Sequence, residues 1–462
     1  MFEREIIGLA GLLIMFLLMA IRIPVGLSMI IIGIGGNWVL SIFHPYLRFE
    51  PYLKQFKSLL WSNLSNYDLS IVPLFVLMGY LASHARLSGD LFRGMEAIVG
   101  RFRGGVAMAA VGACGAFGAV CGSSLATAAT MGKVALPELQ RLNYAPRLSM
   151  GALAAGGTLG ILIPPSVALV VYAIMVEGSI ISMFQAAVIP GILAILGFVF
   201  VIALQVRINP ELAPKGIPMP RDERRAAIRS MLPVSTIFLV IIFGLGLGVF
   251  TPTPAASIGV FLILAFGLWR QATRGTGLAR DGIRASVLDT ATTTGMIFFV
   301  LFGAEVLKTF FARAGLPSAV ATMVGDSGLD PMLVLVIMLG ILIILGCFME
   351  SLSMILIVIP FLWPTLVALN GGPYVDAGDS PFGMTSDELK IWFGILTLIV
   401  IELGLITPPV GLNVFIIGSM SKGTPIAEAF RGVMPFLAME FVRVAFILAL
   451  PILALALPRM LN

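Results

Sequence analysis

The chain has 462 residues, of which 59% are hydrophobic and only 11% charged, with a net charge of +5 and a mean hydropathy of +1.04. Soluble domains carry about 25% charged residues, so the composition excludes a soluble enzyme, a nucleic-acid binder and a disordered scaffold. It points instead to an all-α polytopic membrane protein embedded in a lipid bilayer. Three cysteines in apolar stretches and two histidines supply neither a disulfide framework nor a Cys/His metal cluster, and no cofactor is expected.

In chain order, the first apolar run covers 6–21. It follows Met-Phe-Glu-Arg-Glu without the basic end and cleavage site of a signal peptide, so it reads as a retained span. A second run covers 24–43. Segment 45–66 sets Leu47, Tyr52, Phe56, Leu59 and Trp61 at helical spacing among Lys54, Gln55 and Lys57. That pattern predicts an amphipathic arm lying in the outer interface. Further runs cover 68–85, 106–136, 149–176 and 183–206. A basic connector at 207–229 precedes runs at 231–250, 255–269, 286–311, 331–364, 390–420 and 432–457.

Charge sorts these runs into crossings and dips. Arg86, Arg93, Arg101 and Arg103 lie before run 106–136, and Lys133, Arg141 and Arg147 lie at or after its end. Both flanks are therefore expected on the cytoplasmic side, which makes 106–136 a re-entrant hairpin. Run 331–364 is flanked by Asp326 and Asp330 on one side and by Asp376, Asp379, Asp387 and Glu388 on the other. It is expected to dip from the external, periplasmic face. The basic loops 207–229 and 270–284 then fall inside. The count is about ten full transmembrane helices and two hairpins, with both termini periplasmic.

The two halves resemble each other. LFVLMG at 74–79 parallels FFVLFG at 298–303, and LGILIPP at 159–165 parallels LGLITPP at 403–409. GSSLA at 122–126 lines up with MESLS at 349–353. The order is shared and the offset is about 224–245 residues. This divides the chain into a first repeat at 1–206, the connector at 207–229 and a second repeat at 230–462. With hairpins on opposite faces, the repeats are inverted, the arrangement of secondary transporters whose site lies at mid-membrane between discontinuous helices.

The interruptions carry the candidate chemistry. Gly122-Ser123-Ser124 breaks the first hairpin. Broken backbone in lipid needs partners, and the helix ends can meet ions: amide groups an anion, terminal carbonyls a cation. Ser123, Ser124 and Thr127 add hydroxyl oxygens suited to a hard cation. Simple small-residue helix packing is the competing explanation. Glu350, with Ser351 and Ser353, is the counterpart. An intramembrane carboxylate is a functional candidate, although it can also cap its own hairpin. Gly157 and Thr158 before Pro164-Pro165, and Thr407 before Pro408-Pro409 with Gly411 and Asn413 after it, should unwind two helices near the tips. Of the other deep carboxylates, Glu305 has Lys308 and Glu440 has Arg443 at i,i+3 spacing, which suits structural pairs. Glu402 is the third of these deep carboxylates. No HExxH or GxSxG is present and Ser123 has no base near it in sequence, so an intramembrane enzyme is disfavoured.

These motifs resemble the large permease subunit of TRAP (tripartite ATP-independent periplasmic) transporters. The resemblance rests on GAFGAVCGSSLATAATMGKVALPEL at 115–139, AGGTLGILIPPSVALVVYAI at 155–174, GCFMESLSMILIVIP at 346–360 and ELGLITPPVGLNVFIIGSM at 402–420. It implies an inverted-repeat, elevator-type transporter of the bacterial inner membrane, driven by Na⁺ as coupling ion. It also implies a periplasmic substrate-binding protein and a small four-helix membrane subunit as partners, here in unfused form. The cargo it implies is an organic acid such as a C4-dicarboxylate, a keto acid or a sialic acid. At matched positions, Na⁺ would lie around Ser123, Ser124, Gly157, Thr158, Glu350, Ser351, Thr407 and Gly411. Substrate would lie between the tips, near Gly122, Ser123, Thr127, Pro164, Pro165, Ser353, Pro408, Pro409 and Asn413. A stand-alone ion-coupled carrier of the same wider group is the alternative.

Overall fold

A computed structural model of the chain describes residues 3–216, 218–421 and 423–461, apart from the side chains of residue 3 and of 57, 60 and 62–64 in the amphipathic arm. The described residues form helices and no strands. The first half runs α1 (Glu3–Ala20), α2 (Val25–Phe43), α3 (Phe49–Leu64), α4 (Ile71–His84), α5 (Leu87–Val99), α6 (Gly105–Cys121), α7 (Ser124–Arg141), α8 (Pro146–Leu162), α9 (Val167–Met175) and α10 (Ile180–Ile208). The second half runs α11 (Arg221–Gly246), α12 (Pro252–Arg274), α13 (Arg280–Ala314), α14 (Leu316–Asp326), α15 (Pro331–Gly346), α16 (Ser351–Leu369), α17 (Ser386–Gly404), α18 (Leu412–Met420), α19 (Ile426–Ala449) and α20 (Ile452–Leu461).

Among the described residues, eight helices are long and apolar enough to cross a membrane, or nine if α8 and α9 form one span bent by 47°. The eight include α16, which the charge pattern assigns to a hairpin. Two expected crossings are absent from that set. One is α1, which opens on Glu3, Arg4 and Glu5; the other is α17 with α18, which carries Asp387, Glu388, Lys390 and Glu402. The count of ten expected from the apolar runs is thus neither reached nor bounded by length and composition.

Helix order repeats along the chain. Setting α3 and α20 aside, α1, α2 and α4–α10 correspond in sequence to α11–α19. Packing follows the same rule: α2 lies on α13 and α12 on α4, α6 lies on α8 and α15 on α17, and α7 lies on α18 and α16 on α9. In each half, a hairpin arm and a broken helix approach at glycine. A Cβ on Gly118 would sit 2.5 Å from the Cα of Gly160, and one on Gly404 would sit 2.6 Å from the carbonyl carbon of Gly346. Small residues allow this closeness, which favours dispersion contacts where lipid offers no hydrophobic drive.

Three features depart from the sequence expectations. The basic segment 84–105 and the segment 312–330, which holds Arg313 against Asp326 and Asp330, lie outside the apolar runs but contain the short helices α5 and α14. Second, α11 begins at Arg221, so four arginines of the expected 207–229 connector lie on α11. Third, the run 432–457 is interrupted after Ala449, where Pro451 cannot continue the hydrogen-bond ladder, and α20 begins at Ile452. The amphipathic arm is helical as α3. Its Tyr52 is buried beneath the Arg313 guanidinium, which also donates to Asn37 Oδ1 and the Arg48 carbonyl, both at 2.9 Å.

The body's two ends are marked by contacts between halves. Gln140, at the close of α7, donates to Ser421 Oγ just beyond α18 at 3.4 Å. Lys390, in α17, donates to the Glu177 carbonyl just beyond α9 at 3.4 Å, and Tyr172 of α9 donates to the Lys390 carbonyl at 2.9 Å.

Candidate functional site

The first hairpin turns because Gly122 closes α6 at φ +62°, a left-handed conformation that costs glycine little. Ser123 is then extended, and its Oγ accepts the Ala126 amide at 3.4 Å to cap α7. The second hairpin breaks between Gly346 and Ser351. Here Glu350 is the cap: its Oε2 accepts the Ser353 amide at 3.3 Å, with the Ser353 hydroxyl at 3.5 Å. A neutral oxygen caps one tip and a carboxylate caps the other.

Both helix breaks come at the proline pairs. After α8, Pro164-Pro165 is a cis pair, and Ser166 starts α9 by accepting the Leu169 amide at 3.5 Å. After α17, Pro408-Pro409 is also cis, and Gly411 starts α18 at φ +61°. The Pro408 carbonyl accepts the Cys347 thiol of the second tip at 3.6 Å. Asn413 reaches across the halves: its side chain donates to the Ala154 carbonyl of α8 at 3.5 Å, while its amide donates to the Leu405 carbonyl at 3.1 Å.

The tips meet at a residue the sequence reading left unassigned. Glu402, on α17, is 2% exposed. Its Oε2 accepts the Ser124 hydroxyl of the first hairpin, and its Oε1 accepts the Ser351 hydroxyl of the second at 2.8 Å. Beside this junction lies a cavity of about 480 Å³. Gly122, Ser123, Glu350 and Ser353 line it on the hairpin side. Val76, Gly79 and Tyr80 of α4 and Thr293, Met296, Ile297 and Val300 of α13 line the other side. Tyr80 Oη and Thr293 Oγ1 hydrogen-bond there at 2.9 Å. The cavity walls hold a carboxylate and several hydroxyls, but no Lys or Arg among the described residues.

The expected site residues therefore separate into groups. Gly122, Ser123, Glu350 and Ser353 share the cavity, and Ser124 and Ser351 share Glu402. Thr127 Oγ1 is buried beside the Gly160 backbone and the Cys121 thiol, without a hydrogen-bond partner of ordinary geometry among the described residues; Asn413 Oδ1 is likewise buried without one. Gly157 lies between Ala128 and the Asn413 side chain. Two hydroxyls turn back onto their own helices, Thr158 to the Ala155 carbonyl and Thr407 to the Leu403 carbonyl, both at 2.6 Å. Pro164, Pro165, Pro408 and Pro409 shape the breaks and are not among the cavity-lining residues. The pairs Glu305–Lys308 and Glu440–Arg443 both form; Arg443 is buried and also donates to the Pro190 carbonyl at 3.1 Å.

Among solved structures, the chain resembles the crystal structure of the YdaH transporter of Alcanivorax borkumensis, with a TM-score of 0.61 over 93% of this chain and 97% of that one, at 14% identity. The all-helical fold and its long apolar helices are those of a multi-pass membrane protein, and the fold is shared with that structure. Residues 12–453 match the family described as "Tripartite ATP-independent periplasmic transporter, DctM component", and the chain belongs to that family of large permeases. It is 31% identical over 436 residues to the C4-dicarboxylate TRAP transporter large permease protein DctM of Pseudomonas aeruginosa, covering 93% of this chain and 94% of that protein. It is 28% identical over 402 residues to the sialic acid TRAP transporter large permease protein SiaM of Vibrio cholerae, covering 86% of this chain and 88% of that one.

Proposed function

We propose that this permease imports a small organic acid across the bacterial inner membrane, driven by Na⁺. A periplasmic binding protein delivers the acid, and a small four-helix membrane subunit completes the complex. The observation that carries this reading is the junction at Glu402. Both hairpin tips converge on one buried carboxylate beside a cavity that α4 and α13 close from the other side.

Na⁺ coupling is supported by the oxygens near the first tip. Hard cations take several oxygen ligands. Thr127 Oγ1 and Asn413 Oδ1 are buried, lack ordinary hydrogen-bond donors among the described residues, and flank the glycine face of α8. The chemistry of this donor set fits Na⁺ and needs no full counter-charge. For the cargo, the first tip offers amide groups at the start of α7 capped by a neutral hydroxyl, which suits a carboxylate. The relatives named for C4-dicarboxylates and for sialic acid bear carboxylate cargo by those names, which supports the same class here.

An elevator motion is supported by how the helices group. Helices α1, α2, α4, α11, α12 and α13 pack on one another, while the hairpins pack on the broken helices. Short helices α5 and α14 stand between the groups, α5 against α11 and α6, and α14 against α1 and α16. The crossed contacts of Gln140 with Ser421 and of Lys390 with Glu177 support hairpins that enter from opposite faces. The test is uptake of labelled organic acids into proteoliposomes holding both membrane subunits, with the binding protein outside. Uptake is expected only with an inward Na⁺ gradient. Uptake indifferent to Na⁺ contradicts the coupling, and uptake by this chain alone points to a stand-alone carrier.

A further inference from the structure

We propose that Glu402 is a positioning residue that yokes the two hairpin tips, so that they open and close on their ligands as one body. The proposal deepens the transport reading above and rests on it for its consequence, but the link itself is read from geometry.

Ser124 and Ser351 each begin the second arm of a hairpin, so they occupy equivalent places in the two halves. Each hydroxyl goes to a different oxygen of the same carboxylate. Ser124 and Ser351 are 1% exposed and Glu402 is 2% exposed, so water does not compete for these bonds. A carboxylate is suited to the task because its two oxygens take donors arriving from two elements at once. The arrangement is made once rather than twice. In the shared LGxxxPP register, Thr158 of the first half stands where Glu402 stands in the second, and its hydroxyl stays within its own helix. Glu402 is itself held to the second hairpin by the backbone approach of Gly404 to Gly346 two residues away. The second tip is thus fixed to α17, and the first tip is held to that assembly through Ser124. Cavity-lining Ser123 and Glu350 are the chain neighbours of the two linked serines. Losing the link frees the two tips on the hairpin side of the cavity to move apart.

The link and a mere need for buried charge give different results on substitution. Glu402→Gln keeps an acceptor at one end and offers a donor at the other, which a serine hydroxyl can accept by turning. Glu402→Leu keeps the bulk and removes both bonds. The direct readout is a pair of spin labels at Leu125→Cys and Leu352→Cys, in the full complex with Cys114, Cys121 and Cys347 replaced. Pulsed measurement of the label separation is expected to give a narrow distribution for the parent and for Glu402→Gln, and a broad or bimodal one for Glu402→Leu. In uptake, Glu402→Leu is expected to raise the Na⁺ half-saturation about tenfold, the scale of losing a buried hydrogen bond, while the maximal rate changes less. Ser124→Ala and Ser351→Ala should each do the same, and their combination should add little to the larger single effect. An unchanged distance distribution in Glu402→Leu, a Gln variant as broad as the Leu variant, or fully additive serine effects each overturn the yoke. If the Leu variant fails to fold, the serine pair decides by the same two readouts. Na⁺-independent uptake by the parent contradicts the coupling reading alone, because the label distances still report the link.

Discussion

The first hairpin turns on Gly122 and caps its second arm with the Ser123 hydroxyl, whereas the second breaks after Gly346 and caps its arm with the Glu350 carboxylate. Behind the tips the halves agree: Gly118 meets Gly160 and Gly346 meets Gly404, arm against broken helix. The platform is repeated and the chemistry at its tips is not. A carboxylate cap already places an anion at the start of α16, while the serine cap leaves the start of α7 able to face an anionic cargo. The two caps therefore differ in what they can face: the first leaves a helix start open to an anionic cargo, and the second adds a carboxylate oxygen for a cation, in addition to the Thr127 and Asn413 oxygens behind the first tip.

Substitutions can break the shared part first. Gly160→Leu and Gly404→Leu both force bulk between touching backbones, and each should cost about 1–3 kcal/mol or more. Thermal melting followed by fluorescence-detected size exclusion should show both variants losing folded complex to a similar degree. A loss confined to one half would mean that the two contacts are not equivalent.

At the tips the expected effects diverge. Ser123→Ala should raise the KM for the organic acid more than the Na⁺ half-saturation, and Glu350→Gln should do the reverse. Ser123→Ala should also cost about 1 kcal/mol of stability as a lost cap, whereas Glu350→Gln keeps a cap acceptor and should cost less. Uptake measured over a grid of Na⁺ and substrate concentrations separates the two. Equal shifts in both parameters for both variants would remove the division of labour.

Thr158→Val, at the place matching Glu402, removes only a bond within α8, so uptake should stay within about twofold of the parent. A tenfold loss would make the asymmetry between Thr158 and Glu402 illusory. The smallest effect is expected at the far end of the first hairpin. There the Arg141 guanidinium, hydrogen-bonded to Glu138, holds that carboxyl below the usual carboxylate range. What the pair adds to stability is present above the unfolded carboxylate's pKa and is lost as pH falls through the lower folded value. The pair is largely solvated, so Glu138→Gln should leave the melting temperature at pH 7 unchanged within error, and melting curves check it.

Much of this plan is written locally in the chain. Gly122-Ser123 and the two Pro-Pro pairs break helices where they stand, because a left-handed glycine and a missing amide donor act on their own turn. Repeat order follows from the same motifs. What escapes such reading depends on distant partners. Ser124 and Glu402 are 278 residues apart, and Ser351 and Glu402 are 51 apart, so no spacing rule joins them. The available signal was a lone carboxylate in an apolar helix beside LGLITPP, without an i,i+3 partner of the kind Glu305 and Glu440 have. Helices α5 and α14 were hidden for a different reason. Their basic or turn-rich flanks look like loops, and their apolar faces are satisfied by packing on distant helices, α5 mainly on α6 and α11 and α14 mainly on α16.

If the two hairpins approach one junction from opposite sides of the bilayer, their outer flanks lie on opposite faces of the membrane. In a chain with Cys114, Cys121 and Cys347 replaced, single cysteines at Arg141→Cys and Asp379→Cys can be challenged in intact cells with a membrane-impermeant maleimide. The cysteine at 379 should react at once, and that at 141 only after the membrane is permeabilised. Reaction of both from the outside, or of neither, would put the hairpins on one face and contradict the account.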